Sequence, residues 1–121
     1  TVEMTLYACS AGDTTYAVGF ADIGRPHHVE GALAELSAAA ARNIGSTGTG
    51  VSSAPLHVDG MTPNPLAGRL ALSGQRTDGR HVEMQVGLFA RGTRVFQATM
   101  VGTRLDVDAI ETFFGALRLQ T

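Results

Sequence analysis

Four histidines, one cysteine and eleven acidic side chains are the groups in this chain able to move a proton, attack a carbonyl or hold a metal. His27 and His28 are adjacent, so they point about 100° apart on a helix and to opposite faces of a strand. They do not converge as ligands. His57 and Asp59 share one face of a short extended segment. A metal or small-ligand cluster of His27, His28, His57 and Asp59 would require the loop before the first helix to meet the loop at 59–65. Zinc needs three or four ligands converging at about 2 Å, and the sequence has neither HxxxH nor CxxC. We therefore expect no cofactor and keep those four residues as the alternative site. His81 and Glu83 also share a face, but residues two apart on a strand stand side by side, not in series as a base and its orienter do. No serine lies in Gly-x-Ser-x-Gly, the strained turn that exposes a nucleophile. Cys9, between Ala8 and Ser10, lacks a neighbouring cation to stabilise a thiolate, and we expect a small buried hydrophobe. The glycines of Gly45-Ser-Thr-Gly-Thr-Gly50 follow a helical pattern instead of opening one, which is the wrong order for a phosphate loop. The expectation is a protein that is not an enzyme.

Scaffold and charge narrow the class. With 121 residues, 44% hydrophobic and 17% charged, the chain fits one globular domain, residues 1–121, able to build its own core. Net charge is −2, all nine cations are Arg, and no basic run is present, so neither nucleic acid nor an anionic membrane surface is an expected partner. No apolar run approaches the ~18 residues that cross a bilayer. A lone cysteine cannot form an intrachain disulfide.

The elements follow from periodicity. Val2, Met4, Leu6 and Ala8 alternate with polar positions, as do Tyr16, Val18 and Phe20 with small ones, which predicts an antiparallel hairpin with Leu6 opposite Val18 and Met4 opposite Phe20. Val29, Leu33, Leu36, Ala40 and Ile44 form one helical stripe, with Gly45 placed as a left-handed cap. A short strand is expected at Leu56–Val58, then a loop whose two prolines bar central pairing. Leu70 and Leu72 alternate next, and Asp78-Gly79 signals a turn. Val82, Met84, Val86 and Leu88 face one side, and pairing Leu88 with Phe96 sets Phe96, Ala98 and Met100 beside them. Asp106 can cap a closing helix bearing Ile110, Phe113, Phe114 and Leu117. The order ββαββββα predicts an α+β fold, an antiparallel sheet of five to six strands with two helices packed on it.

Tyr16-Ala-Val18-Gly-Phe20-Ala-Asp22, Arg94-Val-Phe96-Gln-Ala-Thr-Met-Val101 and Phe113-Phe-Gly-Ala-Leu-Arg-Leu119 resemble, in order and spacing, the PsbP and Mog-type α/β/α sandwich of bacterial extracytoplasmic domains. The last motif departs from the pattern, with Gly115-Ala116-Leu117 in place of the usual Ser and aromatic. The resemblance implies a protein-binding or assembly module of periplasmic or other extracytoplasmic location. A chain that starts at Thr1 is in keeping with a processed or trimmed product. In the pairing above, His81, Glu83, Gln85, Gln97 and Thr99, joined by Tyr7, share the polar sheet face. That face, with the loops at Gly45–Gly50 and Asp59–Pro65, is the expected docking surface for a protein partner.

Overall fold

The computed structural model describes residues 4–43, 52–64, 66–75 and 78–117. Gly45, the Gly45–Gly50 connector, Ile44 and Pro65 lie outside the described residues. Six strands form one antiparallel sheet in the order β1-β2-β6-β5-β4-β3: β1 Thr5–Ala11, β2 Thr14–Asp22, β3 Ser52–Ala54, β4 Gly68–Gln75, β5 His81–Arg91 and β6 Arg94–Gly102. Helix α1, Val29–Asn43, follows a short 3₁₀ turn at Pro26–His28, and α2 spans Val107–Gly115. This is the expected α+β class and element order. The short strand is at Ser52–Ala54, upstream of the expected Leu56–Val58, and Leu56 instead lies against the sheet beside Phe114.

The strand registers correct the expectation at two hairpins. Leu6 pairs with Gly19 and Thr5 with Phe20, and Phe89, not Leu88, pairs with Phe96. The cause is the turns. Ala11↔Thr14 and Arg91↔Arg94 each enclose two residues, beginning with Gly12 at φ 60 and Gly92 at φ 58. A positive φ at the first central residue only is the II′ geometry, which glycine adopts without strain and which matches strand twist. A two-residue turn pairs odd with even positions, so the two apolar rows of each hairpin lie on opposite faces of the sheet instead of sharing one.

Consequently each face of the sheet carries a buried apolar cluster. On one, α1 lays Val29, Leu33 and Ala40 against Leu72, Val82, Met84, Val86, Leu88, Ala90 and Val95. On the other, Ile110 and Phe114 of α2 meet Ala98 and Met100, with Tyr16, Val18, Leu56, Leu105 and Phe113 around them. From Val86 to Ala90 every residue of β5 is buried. Asp106 caps α2 as expected, its carboxylate accepting from the Ala109 N–H at 3.1 Å. Of the two adjacent phenylalanines, Phe114 sits over Gly87, while Phe113 turns to the flank against Tyr16 at 5.2 Å.

Candidate binding surface

The register divides the polar face foreseen from the sequence. His81, Glu83 and Gln85 are on the α2 side, whereas Gln97 and Thr99, in register with Leu88 and Val86, are on the α1 side. These five residues therefore do not form one docking surface. Thr99 is only 7% exposed, and its hydroxyl accepts from the Gln97 amide at 3.3 Å. That mutual bond meets the need of two polar groups that would otherwise be costly to bury. Glu83 is occupied too: one carboxylate oxygen accepts from the Leu105 N–H at 2.8 Å, and the other lies 3.6 Å from His81 Nε2. It fastens the segment leading into α2.

His27 and His28 stack edge to face at 4.2 Å in the 3₁₀ turn. His57 Nε2 lies 3.3 Å from Asp59 Oδ1, with both side chains more than 80% exposed. Among the described residues no three His, Cys, Asp or Glu side chains are grouped to hold a metal ion. Cys9 is exposed, not buried, because β1 is an outermost strand with no helix above it.

What the sequence did not single out is the sheet end built by β1 and β2. All seven residues of β1 are exposed. Leu6 is 63% and Tyr7 67% exposed, on opposite faces. On the α1 side, Leu6 and Met4 lean over Gly19, where an added Cβ would stand 3.1 Å from Leu6 Cδ1 and 3.2 Å from Met4 Sδ. A hollow of about 290 Å³ continues from Met4 along Ala21, Ile23 and Leu36. On the α2 side a second hollow, about 230 Å³, lies among Tyr7, Cys9, Tyr16, Val18 and Phe113. From Tyr7 a row of rings crosses four strands: Tyr7–Phe20 at 6.4 Å, Phe20–Phe96 at 6.1 Å and Phe96–Phe89 at 5.1 Å. The Arg94 guanidinium stands over Phe20 at 5.5 Å, a cation–π contact at the row's open side. The individual spacings suited a hairpin; the row emerges only in the true register, which is why periodicity alone missed it.

At the turn end of β2, the Asp22 carboxylate accepts from Thr93 Oγ1 at 2.8 Å and from the Gly24 N–H at 2.9 Å. The Thr93 hydroxyl first, then the Gly24 N–H, hold its pKa below 3.8; desolvation opposes them, and the charge of Arg94 adds a lesser lowering. This cluster ties β2 to the β5–β6 turn.

No family model matches the chain, and no curated protein matches it. Among solved structures the chain is similar to PA94 from Pseudomonas aeruginosa, a protein of unknown function described as a candidate regulator. The two are 13% identical with a TM-score of 0.54, over 100% of this chain and 85% of that one. At that identity the likeness concerns the fold.

Proposed function

We propose that this chain is a non-catalytic protein-binding or assembly domain whose recognition surface is the β1–β2 end of the sheet. The observation that carries the reading is an outermost strand exposed over all seven residues, with Leu6 and Tyr7 displayed on opposite faces. An edge strand presents a row of unpaired N–H and C=O groups, and proteins ordinarily protect such an edge with charge, proline or extreme shortness. Here the opposite edge, β3, has three residues, whereas β1 has seven with no charge and no proline. Backbone groups along the edge would supply affinity, and the apolar hollows above and below it would select side chains, as in strand addition generally. Tyr7 and its neighbouring rings suit this role, since aromatic side chains are enriched at interfaces.

The test is a photo-crosslinking residue placed at Tyr7 in the cells that make the protein. A discrete adduct that disappears when Leu6→Arg is added is the expected result. No adduct at Tyr7, beside a strong one from a probe at exposed Asp59, would overturn the assignment of the surface.

A further inference from the structure

We propose that the occupant of the β1 edge is a second copy of this chain, paired antiparallel through β1 about a two-fold axis at Ala8, so that two six-stranded sheets become one. The proposal rests on the protein-binding reading of this edge and names its partner.

The two-residue turn settles which backbone groups face outward. Ala11 and Thr14 close the turn as a hydrogen-bonded pair, and such pairs alternate along an antiparallel ladder. Thr5, Tyr7, Cys9 and Ala11 therefore bond to β2, while Leu6, Ala8 and Ser10 turn their N–H and C=O groups away from it. The same alternation makes the odd residues of β2 bond to β6, and Ile23, next in that series, donates its N–H to the Thr93 carbonyl at 2.8 Å.

The strand is self-complementary about its middle residue. With Ala8 opposite Ala8, Leu6 of one copy meets Ser10 of the other, and Tyr7 meets Cys9. Each large side chain thus faces a small one, and all seven residues find partners. No charge lies within residues 4–12, so the seven paired residues oppose no like charges, the usual device against edge association. Three outward residues per copy give about six backbone hydrogen bonds. At one bond per 100–200 Å² this corresponds to roughly 600–1,200 Å² of interface, the low end for specific association. The dimer is accordingly concentration-dependent.

Proline at Ala8 removes only an outward N–H, a substitution edge strands tolerate, and lysine at Ala8 sets two like charges face to face across the axis. Sedimentation velocity from micromolar to millimolar protein should show the wild type passing from monomer to dimer. Ala8→Pro and Ala8→Lys should remain monomeric with an unchanged circular dichroism spectrum, the lysine variant serving should the proline variant not fold. In this register the two Cys9 Cα atoms are diagonal neighbours about 7–8 Å apart, beyond the roughly 4.4–6.8 Å of a disulfide. A short bismaleimide should therefore join them where oxidation does not. A wild type monomeric throughout the range overturns the proposal; if Tyr7 still yields an adduct with another protein, the protein-binding reading stands without it. A dimer indifferent to both Ala8 substitutions overturns β1 as the contact.

Discussion

Asp22 shows what a single carboxylate contributes where the end of β2 meets the β5–β6 turn. Its pKa is lowered in the folded chain, first by the Thr93 hydroxyl, so its stabilising effect is fully present above the ordinary value of 3.8. That effect is lost as pH falls through the lower folded value. Asp22→Asn should therefore melt below the wild type at neutral pH, and the gap should narrow once the pH drops beneath 3.8; thermal melts across an acid series check this. Glu83 acts differently, through one bond to the Leu105 N–H. Since its side chain is 39% exposed, Glu83→Ala should cost about 1 kcal/mol, below the 1.5–3 typical of bonds to charged groups. Chemical denaturation gives the value. By contrast, Tyr7→Ala, which removes a side chain 67% exposed, should change stability by less than about 0.5 kcal/mol.

At the level of elements, the close seat of α2 on the sheet depends on Gly87. A Cβ there would meet Phe114 Cε1 at 2.8 Å and Leu56 Cδ2 at 2.9 Å. Gly87→Ala should displace that ring and cost about 1–3 kcal/mol, the range for overpacking. Phe114→Ala, emptying the same seat from the helix side, should cost about 3–5 kcal/mol. Melting temperatures of the two variants, with α2 helicity followed by NMR, test whether the helix loosens as a unit. Elements themselves were legible in the sequence: the stripe Val29, Leu33, Leu36 and Ala40 does face the sheet, and Asp106 does cap α2. Register was not. Alternation assigns a residue to a face only relative to its own strand, and one residue of turn length inverts the relation between neighbours. Gln97 and Thr99 reinforced the misplacement, because polar side chains suggest a wet face, yet here they bond to each other, Gln97 half-buried and Thr99 buried.

For the whole molecule, cover is uneven. The β4–β5 region and the middle of β6 are packed on both faces by α1 and α2, whereas β1 is held by β2 alone and exposed throughout. That imbalance was hidden from the sequence, since Leu6 and Met4 have the composition of core residues and only the sheet order assigns them to an edge. At micromolar concentration, where the chain is monomeric, amide exchange should accordingly be faster in β1 than in β5, a gradient that hydrogen exchange followed by mass spectrometry resolves. The strand order has a further consequence, for biosynthesis. The first hairpin joins the rest of the sheet through β6, with Asp22 alongside Arg94, so it leaves the ribosome long before its neighbour exists. Until β6 emerges, β2 has an open side as well as β1, and this early ribbon with two bare margins is the segment a nascent-chain chaperone would need to shield.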